Sequence, residues 1–135
     1  MIKPTILVVD DEAKFTEFFV KFLQENFNAD VILKENVRDA IEVIDKQRID
    51  VLFQDIHLPN GPYGFEVIRH LKKVGKDKDI IIRIITKWQG DDSYSKQIKE
   101  LDVKYIPKPI SLPSIQNVLI EEFEKSGKFD YKKKG

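Results

Sequence analysis

Short apolar segments alternate with longer amphipathic stretches along this chain. The apolar segments are rich in β-branched residues and have the length of strands, which is typical of strands buried on both faces of a sheet. They are Ile6–Val9, Val31–Leu33, Val51–Phe53 and Ile80–Ile85, the last of which is apolar except for Arg83, and Val103–Ile106 is a short fifth strand. The pattern therefore predicts five buried strands.

Each strand is followed by a stretch in which apolar residues recur at three- and four-residue steps, which predicts five amphipathic helices. Asn36 is suited to cap the second helix, and Gly75 is suited to end the third. The fourth helix, over Asp91–Leu101, has the weakest pattern, and Pro59–Pro62 has the turn chemistry of a loop. The apolar positions are Phe15, Phe18, Phe19, Phe22 and Leu23 in the first helix, Val37, Ala40, Ile41 and Ile44 in the second, Phe65, Val67, Ile68 and Leu71 in the third, Tyr94, Ile98 and Leu101 in the fourth, and Leu112, Ile115, Val118, Leu119 and Phe123 in the fifth.

Strands that alternate with helices favour an α/β fold with a parallel sheet and helices on both faces. Right-handed crossovers leave few topologies for such a sheet. We expect the flavodoxin-like doubly wound arrangement of five strands in the order 2-1-3-4-5, with five helices.

The length of 135 residues is that of one domain. We expect this domain to span residues 1–125. Residues 126–135 include Lys132, Lys133 and Lys134 and are expected to form a flexible basic tail or a truncated linker.

Charge and composition exclude several classes of protein. The 23 basic residues balance the 23 acidic ones, so a surface for direct nucleic-acid binding is not expected. The absence of Cys excludes a disulfide framework and a thiolate zinc site. The sequence has no apolar run of membrane-span length and no signal-peptide pattern, so we expect a cytoplasmic protein without a membrane partner.

Polar side chains follow four of the five predicted strands. Asp10 and Asp11 follow the first strand, and Asp55 follows the third. Thr86 follows the fourth strand and Lys108 follows the fifth. In an open α/β sheet, ligands bind at the carboxyl ends of the strands where the strand order reverses, here between strands 1 and 3. At least two carboxylates, a hydroxyl and an ammonium are therefore expected at one place.

Such carboxylates repel one another by about 4 kcal/mol at 4 Å and an effective dielectric constant of about 20, and a cation removes this cost. Carboxylate and carbonyl oxygens suit Mg²⁺, and a carboxylate beside a divalent ion can accept a phosphoryl group. Taken singly, Asp11 or Glu12 could instead cap the first helix, and Asp55 could serve in a turn. Their joint placement on several strand ends favours a metal site.

At this point the sequence resembles the receiver domain of bacterial two-component response regulators. The resemblance covers about residues 4–125 and depends on four motifs. These are Ile6–Glu12, Asp55–Pro59 with Gly64 beyond it, Ile84–Thr86 and Tyr105–Ile110.

The resemblance implies a role for each matching residue. Asp55 would be the phosphoacceptor, and Asp10 and Asp11 would hold Mg²⁺, with Asp11 favoured as the direct ligand. Asp55 and the backbone carbonyl of His57 would complete the protein ligands. Thr86 and Lys108 would bind the phosphoryl group, Thr86 and Tyr105 would act as the switch, and a cis peptide bond would join Lys108 to Pro109.

The implied function is a phosphorylation-activated signalling switch. A sensor histidine kinase or phosphotransfer protein would donate the phosphoryl group, and the surface of helix 4, strand 5 and helix 5 would then change for a downstream effector protein or domain. The chain would slowly hydrolyse its own phosphoryl group without being a turnover enzyme, and would be a monomer or a phosphorylation-linked dimer.

Three alternatives remain open from the sequence. The first is a receiver-like protein-binding module that does not depend on phosphorylation. The second is a Mg²⁺-dependent phosphohydrolase of the haloacid dehalogenase type, although position 12 is Glu where that type has Asp. The third, a flavin carrier, lacks a phosphate loop after the first strand.

The sequence departs from the family pattern near the site. Lys87 replaces the usual small residue after Thr86, and Trp88 follows it. Gln54 precedes Asp55 where apolar residues are commoner, and the loop that ends at Gly64 is one residue longer than usual. Because Lys87 and Trp88 would flank the phosphoryl group, we predict an unusual acyl-phosphate lifetime.

Overall fold

The computed structural model describes residues 1–58, 63–87 and 92–134. Within these ranges five parallel strands form one sheet in the order β2-β1-β3-β4-β5, and five α-helices connect and follow them. The predicted flavodoxin-like fold is therefore confirmed. The elements are β1 (Thr5–Val9), α1 (Ala13–Asn26), β2 (Asp30–Lys34), α2 (Val37–Lys46), β3 (Val51–Asp55), α3 (Phe65–Lys73), β4 (Ile81–Thr86), α4 (Asp92–Leu101), β5 (Lys104–Pro107) and α5 (Leu112–Ser126), with a short 3-10 turn at Asp77–Asp79.

The two faces of the sheet bury different sets of helices because side chains alternate along each strand. On one face, Leu7, Leu52 and Ile84 pack with α2, α3 and α4. On the other, Ile6, Val8, Phe53 and Ile85 pack with α1 and α5. Most of the apolar positions found in the sequence therefore supply two core layers, and β1 and β3 are covered by helices on both faces. Phe18 is an exception, because its side chain on α1 is 61% exposed although the helical pattern predicted it on the apolar side.

Helix ends follow the local chemistry of the sequence. The side chain of Asn36 accepts a hydrogen bond from the backbone N–H of Asp39 at 2.8 Å and caps α2. Gly75 adopts the left-handed conformation (φ 75°) just after α3. The predicted start of the fourth helix at Asp91 and the loop Pro59–Pro62 lie outside the described residues. Among the helices of the described residues, none combines the length and the apolar character of a membrane span.

Residues 128–132 pack against the domain, which differs from the expected flexible tail. Phe129 and Tyr131 are buried, and each ring centroid lies 5.1 Å from that of Phe123. The backbone of Phe129 forms a bridge with Ile2, and the backbone N–H of Asn28 donates to the carbonyl of Tyr131 at 2.8 Å. The two aromatic side chains bury apolar surface while the neighbouring lysines stay exposed, so the segment packs without removing a charge from water. The proposed domain end at residue 125 stays a prediction.

Replacing Phe129 with alanine is expected to lower the free energy of unfolding by about 2–4 kcal/mol because it empties a buried aromatic site. Urea denaturation measures the change. Lys134→Ala is the matched control, since this side chain is exposed in the same segment. Equal stability of Phe129→Ala and the unsubstituted protein would show that the segment is not packed in solution.

Candidate functional site

Three carboxylates converge at the carboxyl end of the sheet. Asp10 follows β1 and Asp55 ends β3, and these strands are neighbours with Val9 paired to Gln54. Asp10, Asp11 and Asp55 each offer an oxygen, and the three oxygens lie within 4.8 Å of one another. Asp10 and Asp55 are buried and Asp11 is more exposed. The predicted acidic cluster is thus brought together at the point where the strand order reverses.

Backbone donors fix two of these carboxylates. Oδ1 of Asp10 accepts from the N–H of Glu12 at 2.8 Å, and Oδ1 of Asp55 accepts from the N–H of His57 at 3.2 Å. Glu12 occupies the N-cap position of α1, but its side chain makes no capping bond. The side chain of Glu12 therefore does not cap α1, which was one of the roles considered for it.

Lys108 links the carboxylates to one another. Its Nζ lies 2.7 Å from Oδ2 of Asp10, 3.3 Å from Oε2 of Glu12 and 3.5 Å from Oδ2 of Asp55. The side chain is 5% exposed, and the ammonium lies 4.5 Å from the ring centroid of Phe15, within cation–π distance. The peptide bond between Lys108 and Pro109 is cis, as the resemblance implied.

Burial and neighbouring charges shift the proton affinities of this group. Burial, together with the charge of Asp10, raises the pKa of Asp55 to about 6, although Lys108 opposes the shift. Burial lowers the pKa of Lys108, but hydrogen bonding to Asp10 and the charge of Asp55 outweigh burial and raise it above its ordinary value. The Lys108 ammonium is therefore charged at neutral pH, whereas the fold disfavours the charged form of Asp55.

Thr86 and Tyr105 lie on the two neighbouring strands, in different surroundings. Thr86 ends β4 at the same edge of the sheet, is 1% exposed, and is one residue beyond Ile85, the register partner of Asp55. Its carbonyl accepts from the N–H of Lys108 at 2.8 Å. Tyr105 lies on β5 and is 48% exposed, so its ring is at the surface and outside the acidic cluster.

His57 follows the cluster, and its ring contacts two tyrosines. Nδ1 of the ring lies 3.2 Å from the hydroxyl of Tyr94, in the first turns of α4, and the two ring centroids are 5.0 Å apart. The ring also meets Tyr63 edge to face. The backbone carbonyl of His57 thus remains the group of this residue that the resemblance assigns to the metal.

A cavity of about 410 Å³ opens over the cluster. It is lined by Asp11, Glu12, Asp55, His57, Lys87 and Lys108. The donor set consists of carboxylate and carbonyl oxygens, which fits a hard divalent cation such as Mg²⁺, and the ammonium of Lys108 suits a phosphoryl oxygen. Chemically, the site could bind a magnesium ion beside an anionic group attached to Asp55.

Several neighbours of the cluster were not predicted from the sequence. Glu12 joins two lysines, Phe15 lies beneath Lys108, and Gln54 donates from Nε2 to the carbonyl of Asp55 at 2.8 Å. The polar Gln54 after the apolar residues Val51–Phe53 could be noticed in the sequence. The sequence did not show that its side chain bonds to the carbonyl of Asp55. Gly64 packs so closely that a Cβ there would lie 1.9 Å from the Asp55 carbonyl oxygen. Trp88 lies outside the described residues.

Comparison with known proteins agrees with this geometry. Residues 6–120 match the sequence model of the response regulator receiver domain. The chain is 33% identical over 111 residues to the phosphate regulon transcriptional regulatory protein PhoB of Pseudomonas aeruginosa, covering 82% of this chain and 48% of that protein. It is 28% identical over 109 residues to a response regulator receiver protein of Anaeromyxobacter, covering 81% of this chain and 44% of that protein. The chain thus spans less than half the length of these relatives.

Solved structures show the same fold. A CheY-like response regulator receiver domain protein from Methanospirillum hungatei superposes with a TM-score of 0.80 at 19% identity, covering 93% of this chain and 98% of that one. A Francisella response regulator receiver domain superposes with a TM-score of 0.78 at 20% identity, covering 92% and 99%. With the family match across 6–120, the strand order and the acidic cluster, these findings lead to one conclusion: this chain belongs to the response regulator receiver domain family.

Proposed function

We propose that this chain is a phosphorylation-activated switch in which Asp55 accepts a phosphoryl group from the phosphohistidine of a histidine kinase or phosphotransfer protein. The observation that carries the proposal is the convergence of Asp10, Asp11 and Asp55 within 4.8 Å beside the buried ammonium of Lys108. Receiver domains are phosphorylation-based signalling domains rather than turnover enzymes, and they interact with histidine kinases or phosphotransfer proteins and with effector domains.

Asp10, Asp11, Asp55 and the carbonyl of His57 would hold Mg²⁺. Receiver domains bind this ion at an acidic pocket, and the oxygen donors here suit it. When bound, the ion would offset negative charge on the carboxylates and on the incoming phosphoryl group.

The protein's own groups carry the transfer. An oxygen of the Asp55 carboxylate attacks phosphorus, the bond from phosphorus to the histidine nitrogen breaks, and the imidazole leaves with the electron pair and takes a proton. Because the pKa of Asp55 is about 6, its carboxylate is mostly ionised and able to attack at neutral pH. Lys108, 3.5 Å from Asp55, is positioned to bind an oxygen of the new phosphoryl group, and the hydroxyl of Thr86 would bind another.

The switch would follow from this new charge. Movement of Thr86 toward the phosphoryl group would vacate space at the end of β4, and Tyr105, now half-exposed, would turn inward to fill it. The surface formed by α4, β5 and α5 would change and alter effector binding. The proposal is a shift between two states, and its size is limited by their different affinities for the phosphoryl group.

Incubation with acetyl phosphate and Mg²⁺ tests the proposed function. We expect intact-mass spectrometry to show one phosphoryl group per chain, and we expect EDTA to prevent its addition because the carboxylate charges are then not offset. An adduct that forms equally well in EDTA would contradict the metal requirement. Sustained release of phosphate from phosphate esters would indicate a hydrolase, and failure of any phosphoryl donor to modify the chain would indicate a phosphorylation-independent binding module.

A further inference from the structure

Glu12 bridges two lysines that come from different loops. Its Oε1 lies 3.4 Å from Nζ of Lys87, and its Oε2 lies 3.3 Å from Nζ of Lys108. Lys87 directly follows β4, whereas Lys108 directly follows β5. One carboxylate from the β1–α1 connection thus pairs with an exposed lysine and with a buried one.

Lys87 is more exposed than Lys108 and has fewer ion-pair partners. The Lys108 side chain is 5% exposed and contacts three carboxylates, whereas the Lys87 side chain is 68% exposed and pairs with Glu12 alone among the contacts that the structure records for it. An exposed ion pair of this kind contributes little to stability, so it exchanges partners readily. Both lysines and Asp55 line the same cavity of about 410 Å³. A group attached to Asp55 would therefore enter the cavity that both lysines line.

A phosphoryl group competes well with Glu12 for these cations. A phosphate ester carries a charge of about −1.5 to −2 at neutral pH and has three strong acceptor oxygens, whereas the Glu12 carboxylate has a single charge. Hydrogen bonds between an ammonium and a phosphoryl oxygen are among the stronger kinds in proteins. We therefore expect Lys87 to leave Glu12 and bind the phosphoryl group once that group has formed.

We propose that Lys87 is a second phosphoryl-binding cation of this protein, held by Glu12 in the free state and released from it when the group on Asp55 forms. The inference rests on the proposed function, because it requires a phosphoryl group on Asp55. Since Lys87 lies between β4 and α4 in the chain, the exchange also places a direct contact to the phosphoryl group just before α4.

Binding of beryllofluoride with Mg²⁺, which mimics a phosphoryl group on a carboxylate, measures the contribution of Lys87. We expect Lys87→Ala to weaken beryllofluoride affinity about three- to ten-fold in a calorimetric titration, since an interaction of an exposed cation with an anionic ligand is lost. Lys87→Arg keeps the charge and should stay within about two-fold. Lys78→Ala is the control for net charge, because Lys78 lies beside the amino end of β4, remote from Asp55. Equal affinities of Lys87→Ala and Lys78→Ala overturn the proposal.

Glu12→Gln tests the release step through an effect of opposite sign. We expect it to tighten beryllofluoride binding, because the lysines no longer have a competing carboxylate. In the Lys87→Ala background this gain should shrink, since Glu12 and Lys87 act on the same contact. If the gain persists in full without Lys87, Glu12 acts through Lys108 alone and the release of Lys87 is ruled out.

The same titrations separate the two proposals. If the unsubstituted protein shows no Mg²⁺-dependent beryllofluoride binding, the proposed function itself fails. If it binds beryllofluoride with Mg²⁺ but Lys87→Ala matches the Lys78→Ala control, the proposed function stands and only the role of Lys87 is rejected.

Discussion

Asp55→Asn is expected to stabilise the metal-free protein at pH 7.5 while it removes the capacity to accept a phosphoryl group. Burial and the charge of Asp10 raise the pKa of Asp55 from 3.8 to about 6, so the folded state disfavours the charged carboxylate. The neutral amide avoids this cost, which we place at about 1–2 kcal/mol after allowing for solvent screening. The same substitution removes the nucleophilic oxygen, so acetyl phosphate should add no phosphoryl group at this site.

The stability gained by Asp55→Asn is expected to depend on pH. A carboxyl group with a raised pKa in the folded state favours folding fully below its unfolded value of 3.8, and this contribution is lost as pH rises through about 6. The advantage of Asp55→Asn should therefore be largest above pH 7 and small at pH 4.5.

Urea denaturation in EDTA at the two pH values measures this difference. Asp50→Asn is the matched control, because Asp50 is also buried but accepts a hydrogen bond from the N–H of Thr5 at 2.8 Å and pairs with Arg48. We expect this control to be destabilised, since it loses the ion pair. An Asp55→Asn protein that is less stable than the unsubstituted one at pH 7.5 would show that the buried charge is not a cost.

Gly64→Ala is expected to lower the free energy of unfolding by about 2–4 kcal/mol. A Cβ on Gly64 would lie 1.9 Å from the carbonyl oxygen of Asp55 and 2.8 Å from Nε2 of Gln54. The first contact is with backbone, so the segment at the end of β3 must shift. Because that segment carries the phosphoacceptor, we also expect slower phosphorylation by acetyl phosphate.

Gly75→Ala provides the comparison for this prediction. Gly75 has φ 75° and no atom within 4 Å of its Cβ position, so alanine there meets backbone strain alone, at a cost of about 1 kcal/mol. Thermal or urea unfolding of the two variants separates a steric clash from a conformational preference. Gly64→Ala with a stability equal to or above that of Gly75→Ala would contradict the close packing at Asp55.

The sequence predicts the sheet well because its signals are local or depend on strand order alone. Ile6–Val9 is an apolar run, Ile80–Ile85 is apolar except for Arg83, and both appear as strands, β1 and β4, within one or two residues. Once the order is known, Asp10 and Asp55 must meet at one edge of the sheet. The acidic cluster is therefore a consequence of topology and needs no knowledge of side-chain conformation.

The features that escaped prediction depend on side-chain placement between distant positions. Glu12 and Lys87 are 75 residues apart, and their contact depends on two flexible side chains. The raised pKa of Asp55 requires its burial as well as its neighbours. The burial of Phe129 was not predicted because lysines follow it in the sequence. A run of charged residues predicts a solvated segment even when an aromatic residue beside it packs into a core.

The role of Asp55 is tested most directly by locating the phosphoryl group after reaction with acetyl phosphate and Mg²⁺. Borohydride reduces an aspartyl phosphate to homoserine, and the tryptic peptide of residues 49–69 contains both Asp50 and Asp55. We predict homoserine at position 55 and unmodified aspartate at position 50. Homoserine at any other aspartate, with position 55 intact, would contradict the assignment of Asp55 as the phosphoacceptor.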